Sequence, residues 1–172
     1  MADKAEAVVS VVMGSESDYP IMKSAVTTLR DFSIPSEVVL TSAHRSPERT
    51  ATFAKKAAGR GIKVIIVGAG MAAHLAGVIA AQTPLPVFGV PIDSSSLSGL
   101  DALLSTVQMP GGVPVAALSV GTAGAKNAAL MAVRILALDD DELRGKLDDY
   151  IASLANDVEE KQKIIGETSQ DS

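Results

Sequence analysis

Short runs of apolar, mostly β-branched residues recur along this chain, each followed by a segment with helical spacing. That alternation constrains the fold more than any other feature. The runs are Val8–Met13, Glu37–Leu40, Ile62–Val67 and Val87–Val90, with a fifth strand expected within Val113–Val120. Val64-Ile65-Ile66-Val67 is apolar without alternation, the pattern of a parallel strand covered on both faces. Between the first two runs, Ile21, Met22, Ala25, Val26, Leu29 and Phe32 fall on one face of a helix. Asp18 is expected to cap it, and Pro20 is tolerated in its first turn.

The punctuation supports the same order. Ser46-Pro47-Glu48 reads as a helix start, with a capping hydroxyl, proline at the first position and an acid facing the dipole. That helix is expected to end at Gly59 or Gly61. A third is expected over Ala72–Gln82, stopped by Thr83-Pro84-Leu85-Pro86, a fourth over Leu97–Val107 and a fifth over Ala123–Ala137. Asp139, with Glu142 three residues on, is expected to open a last helix through an Asp variant of the capping box. Strands alternating with helices predict a parallel, doubly wound α/β sheet. Five strands suit a three-layer flavodoxin-like order with helices on both faces and a C-terminal helical arm.

A length of 172 residues fits one domain, expected as a core over about 8–138, a C-terminal helix over about 139–165 and a frayed tail over 166–172. The last helix carries the stripe Leu143, Leu147, Tyr150, Ile151, Leu154 and Val158. It can pack on its own sheet or clasp a neighbouring subunit. Apolar residues make up 47% of the chain, much of the excess being alanine, which suits close helix packing or surface buried between subunits.

Cysteine is absent, which removes disulfides, thiolate nucleophiles and cysteine-ligated metals. A net charge of −5 and 3% aromatics argue against a nucleic-acid partner, which needs basic patches or stacking platforms. No apolar run reaches membrane-spanning length, so no membrane partner is expected. The opening Met1-Ala2-Asp3-Lys4-Ala5-Glu6 is polar and unlike a signal peptide. The expectation is a soluble, cytoplasmic protein.

Three loops at strand ends carry the candidate chemistry, because open α/β sheets bind ligands beyond the carboxyl ends of their strands. In Gly14-Ser15-Glu16-Ser17-Asp18, a glycine, two hydroxyls and fresh helix amides can cradle an anion, while Asp18 can accept from sugar hydroxyls. An ordinary helix cap is the competing reading. The second loop brings Ser42, Ala43, His44 and Arg45. Arginine offers a planar fork to phosphate or carboxylate, and imidazole is the side chain best suited to exchanging a proton near neutral pH.

The third, Gly68-Ala69-Gly70, lets a ligand approach the backbone. His74 falls inside the expected third helix, open to packing, hydrogen bonding or chemistry. Gly68-Ala69-Gly70 with Ala73 fits G-x-G-x-x-A loosely, but that dinucleotide fingerprint belongs in the first strand-turn-helix. Gly121–Asn127 lacks phosphate-loop spacing. No H-E-x-x-H, other metal cluster or G-x-S-x-G elbow occurs. The remaining chemistry is proton transfer and positioning, with no metal and no cofactor.

Met13-Gly14-Ser15-x-Ser17-Asp18, Ser42-Ala43-His44-Arg45 and Gly68-Ala69-Gly70-x-Ala72-Ala73-His74-Leu75 resemble the bacterial N5-carboxyaminoimidazole ribonucleotide mutases of purine synthesis, in the AIR carboxylase superfamily. Gly89-Val90-Pro91, Leu97-Ser98-Gly99, Gln108–Val115 and Asn127-Ala128-Ala129-Leu130 extend the resemblance from about Val8 to Leu138. It implies a flavodoxin-like subunit of a homo-octamer whose C-terminal helix crosses between subunits. It also implies transfer of a carboxylate from the exocyclic nitrogen of an imidazole ribonucleotide to ring carbon 4, without metal, cofactor or ATP.

The same resemblance implies Ser15, Asp18 and Arg45 as ribose-phosphate ligands with Ser17 and Ser42 nearby, and His44 as general acid/base. Gly70, Ala72, His74 and Leu75 would wall the imidazole and the migrating carboxylate, and Ala43, with Ala69, Gly70 and Ala72, could supply the small apolar lining that trapping carbon dioxide needs. Met71 stands where the family usually has glycine, and Ala76 where it usually has proline. A related carboxylase class, which takes free carbon dioxide, typically carries lysine after the histidine, so Arg45 favours the mutase. A carboxylase and a catalytically dead nucleotide-binding module are the alternatives.

Overall fold

A computed structural model describes residues 6–168. They divide into two compact units, the first ending at Ala132 and the second beginning at Val133. The first is built on five parallel strands, β1 (Val9–Met13), β2 (Ser36–Leu40), β3 (Val64–Gly70), β4 (Val87–Ile92) and β5 (Ala116–Ala117), in the order β2-β1-β3-β4-β5. This is the doubly wound flavodoxin-like order, and it reverses direction between β1 and β3. Neighbouring crossovers therefore diverge at that point, leaving an opening beyond the strand ends.

β1 and β4 are buried throughout, and β3 is buried from Val64 to Gly68, because helices cover both faces. Ile65 and Val67 of β3 pack with Val12, with Ala54 and Ala57 of α2 (Pro47–Ala57) and with Leu75, Ala76 and Ile79 of α3 (Leu75–Ala80). Side chains alternate along a strand, so Gly68 looks the other way, where a Cβ would strike Met22 of α1 (Tyr19–Asp31). On the α2–α3 face, the glycine at 89 makes room for Thr106 of α4 (Leu100–Val107) and Ala76.

Met13 pairs with both Leu40 and Gly68, so β1 and β2 finish level, opposite Gly68 of β3. Beyond that line β3 continues alone with β4, Ala69 opposite Pro91 and Gly70 opposite Ile92. The Gly68-Ala69-Gly70 segment, expected as a turn, is thus strand: its ladder with β4 imposes an extended backbone that glycine content does not announce. β5 pairs over two residues only, Phe88 with Ala116 and Gly89 with Ala117.

Several ends differ from expectation. Asp18 does not cap α1. It closes a 3-10 turn (Glu16–Asp18), accepting from the Ser15 amide while the Ser15 hydroxyl accepts from that of Ser17. The Ser46 hydroxyl does not cap α2 but turns back to the peptide of Ser42. α3 is shorter than Ala72–Gln82, and His74 precedes it rather than lying inside it. α2 continues as a 3-10 turn to Arg60 and ends at Gly61 in the left-handed region, as its glycine implies.

In the second unit, α6 (Asp141–Thr168) follows the end of α5 (Thr122–Leu136). Its amide cap is Asp140, whose Oδ1 accepts from Leu143, rather than Asp139. Arg144 closes the connection by donating to the carbonyls of Ala137 and Leu138. At 1.5 Å per residue the 28-residue helix is about 42 Å long. Leu143 and Leu147 are buried, whereas Ile151, Leu154 and Val158 of the same stripe are exposed. The helix runs to Thr168, past the expected start of fraying at 166, and 169–172 lie outside the described residues. No helix among the described residues is long and apolar enough to cross a membrane.

Candidate active site

The loops after β1, β2, β3 and β4 leave the sheet along one edge, and a cavity of about 570 Å³ lies among them. Ser15, Ser17, Asp18, Ser42, Ala43, His44, Arg45, Gly70, Ala72 and Leu75 all line it. His74 does not line it but bonds to a residue that does.

At the β1 end, the capping box ties Ser15 and Asp18 together. Asp18 Oδ2 accepts from the Ser15 amide at 3.0 Å, and Ser17 donates its hydroxyl to that of Ser15 at 2.8 Å. Burial pushes the Asp18 carboxyl above its ordinary 3.8, while the amides of Ser15 and Gly14 and the charge of Arg45 pull it back. Arg45 reaches across from the second loop and donates from Nη2 to the Gly14 carbonyl at 3.0 Å. It forms none of the ion pairs among the described residues, so its remaining N–H groups are available to an anion. The reading of Ser15–Asp18 as a helix cap holds in part: the two residues form a capping box on the 3-10 turn that leads directly into α1, and they line the cavity as well.

The second loop is a tight turn. The Ser46 amide bonds to the Ser42 carbonyl at 2.9 Å, and the Arg45 amide to the Ser42 hydroxyl at 3.2 Å. His44 is carried at its tip, exposed. Its Nε2 lies 2.9 Å from His74 Nδ1, with the rings edge to face at 80° and centroids 5.0 Å apart. One nitrogen donates and the other accepts, so at least one of the two rings is neutral while the bond exists. The two histidines, 30 residues apart in the chain, are thus a hydrogen-bonded pair.

At the β3 end, Ala69, Gly70, Met71 and Ala72 supply a small, largely apolar wall. Met71 is held at φ +54°, in the left-handed region that disfavours a side chain, and is 59% exposed. Ser94, after β4, completes the lining. Sequence reasoning did not single it out. A serine-rich loop carries no signal of a partner, and Ser94 reaches the cavity only through the pairing of β3 with β4.

A cavity at the strand edge, lined by an arginine outside the ion pairs and by one ring of an imidazole pair, has the make-up of an α/β enzyme site for a small ligand. The family model described as AIR carboxylase matches residues 8–157, and the chain belongs to that family. It is 54% identical over 159 residues to N5-carboxyaminoimidazole ribonucleotide mutase of Pyrococcus horikoshii, covering 92% of this chain and 89% of that one. It is 50% identical over 167 residues to the Mycobacterium tuberculosis protein of the same name, covering 95% of each. Among solved structures it resembles Treponema denticola PurE at a TM-score of 0.80 and 29% identity, over 88% of this chain and 94% of that one.

Proposed function

We infer that this pocket converts N5-carboxyaminoimidazole ribonucleotide to 4-carboxy-5-aminoimidazole ribonucleotide, with His44 as general acid/base. The activity is that of a mutase, an isomerase of purine (IMP) biosynthesis. One observation carries the reading: His44, hydrogen-bonded to His74, stands on the wall of a cavity that also holds the Arg45 guanidinium, outside the ion pairs of the described residues, and a wall of small residues.

Arg45 and the Ser15–Asp18 turn hold the ribose phosphate, the guanidinium and Ser17 meeting phosphate and the Asp18 carboxylate meeting sugar hydroxyls. Protonated His44 delivers its proton to the exocyclic nitrogen as the carbamate C–N bond breaks. That leaves a neutral amine, carbon dioxide and neutral imidazole. Ring carbon 4 then attacks carbon dioxide, and His44 takes the carbon 4 proton, restoring the aromatic ring and its own starting state. Atoms and charge balance with one acid/base and no redox carrier. Enclosure by Ala43, Gly70, Ala72 and Leu75 keeps carbon dioxide beside the ring, so that recapture is effectively unimolecular.

Self-association into a homo-octamer in the cytoplasm belongs to the same reading. The exposed Ile151, Leu154 and Val158 of α6, and Leu97, Leu100, Leu104 and Val107 at α4, support contact with other copies.

The test is direct conversion of the carbamate substrate by wild type and His44→Asn, without added bicarbonate. Product from wild type with little exchange of labelled carbon dioxide, and none from His44→Asn, is expected. Dependence on free carbon dioxide would identify a carboxylase instead. Ribonucleotide binding without turnover in either form would identify a binding module.

A further inference from the structure

Ser94 follows β4, whose last pairing sets Ile92 beside Gly70. Its side chain lies over Gly70 so closely that a Cβ built at position 70 would stand 1.8 Å from Ser94 Oγ and 3.0 Å from its Cβ. Gly70 is not among the positive-φ residues, so its backbone does not need glycine. A side chain at position 70 would meet Ser94 and, at 3.2 Å, the Ile92 carbonyl oxygen, so glycine leaves Ser94 its present place. The neighbouring Ser95 has a plain structural duty, its hydroxyl accepting from the Leu97 amide at 3.1 Å. The Ser94 hydroxyl bonds to no other described residue, and it opens onto the cavity. Along the sheet edge, Arg45, His44 and the Ser15–Asp18 turn lie at the ends of β2 and β1, and His74 lies beyond β3. Ser94 stands at the β4 end.

We propose that the Ser94 hydroxyl is a catalytic residue that holds the transferring one-carbon unit, donating a hydrogen bond to one of its oxygens through both half-reactions. This rests on the mutase reading above. The unit is a carboxylate on nitrogen, then neutral carbon dioxide, then a carboxylate on carbon. A neutral hydroxyl serves all three: it donates to each oxygen without protonating it, and without the firm ground-state grip that a cation would exert on a carboxylate. Ser94 moves no proton in this scheme, and His44 moves the only one.

The experiment compares wild type, Ser94→Ala and Ser94→Thr on the carbamate substrate. It follows product, released aminoimidazole ribonucleotide, and label taken up from bicarbonate. Ser94→Ala is expected to lower kcat/KM about tenfold, the size of one hydrogen bond to a charged acceptor, with a larger share of the carbon lost to solvent. Ser94→Thr, which keeps the hydroxyl, is expected to restore most of the rate and the retention. Ser94→Ala matching wild type in rate and leakage, or Ser94→Thr as poor as Ser94→Ala, would overturn the assignment. Wild type that fails to convert the carbamate would overturn the mutase reading and this role together, whereas active wild type beside an unaffected Ser94→Ala removes Ser94 alone.

Discussion

His44 Nε2 and His74 Nδ1 stand 2.9 Å apart, with their rings nearly perpendicular. The contact fixes a tautomer relationship. When His44 donates from Nε2, His74 must present a bare Nδ1 and carry its proton on Nε2. His74 thereby orients the imidazole to which the proposed mechanism assigns the proton transfer, without itself lining the cavity.

His74 is therefore expected to act as a positioning residue. His74→Phe keeps a ring but removes the acceptor, and should lower kcat by about tenfold or more with little change in KM. His74→Asn offers an oxygen near the lost Nδ1 and should retain more activity. The pH profile of kcat should shift in His74→Phe and not in a merely destabilised variant. Steady-state kinetics across pH measures all three.

Arg45→Ala should weaken ribonucleotide binding by roughly 1.5–3 kcal/mol, the range for hydrogen bonds to a charged group. Arg45→Lys keeps the charge but loses the fork and the reach to the Gly14 carbonyl, and should recover part of the affinity. Calorimetric titration with the product separates the two. Unchanged affinity in Arg45→Ala would remove the phosphate role.

Two carboxylates should give stability opposite dependences on pH. Glu37 accepts from Arg60 and from Ser10, and the Arg60 bond holds it below its ordinary 4.5. Its contribution is complete above 4.5 and is lost as pH falls through the folded value. Burial raises Asp18 above 3.8, so its contribution falls as pH rises from 3.8 through the folded value. Glu37→Gln should cost about 0.5–1 kcal/mol near neutrality and less in acid. Asp18→Asn should be at its greatest relative disadvantage in acid and recover toward neutrality. Urea midpoints across pH check both signs.

Met71 pays a backbone penalty that glycine would not, about 1–2 kcal/mol for a side chain in the left-handed region. Met71→Gly should therefore be more stable than Met71→Ala by about 1 kcal/mol, the reverse of the usual order of these residues. Thermal unfolding of the two variants decides it.

Most of the scaffold is legible from local pattern. Uninterrupted Val64–Val67 announces a doubly covered strand, and Pro47 after Ser46 marks the start of α2. The loops holding Ser15, Asp18, His44 and Arg45 follow from strand ends alone. What stays hidden is tertiary. Gly68-Ala69-Gly70 reads as a turn because nothing local reports its ladder with β4. His74 reads as helical because apolar spacing continues through it, yet α3 begins one residue later. Asp139 and Asp140 are interchangeable by pattern, and geometry selects the second. Ser94 is visible only once Gly70 lies beneath it.

β3 runs two residues past the last pairing of β1, so Ala69 and Gly70 have a strand on one flank and none on the other. The peptide links at that tip are held rigid by β4, yet one of their edges is left vacant. A doorway of this kind requires no broken ladder and no floppy hinge. The same frame can change its clientele by redrawing the short stretches around the tip, while the masonry behind it stays as it is.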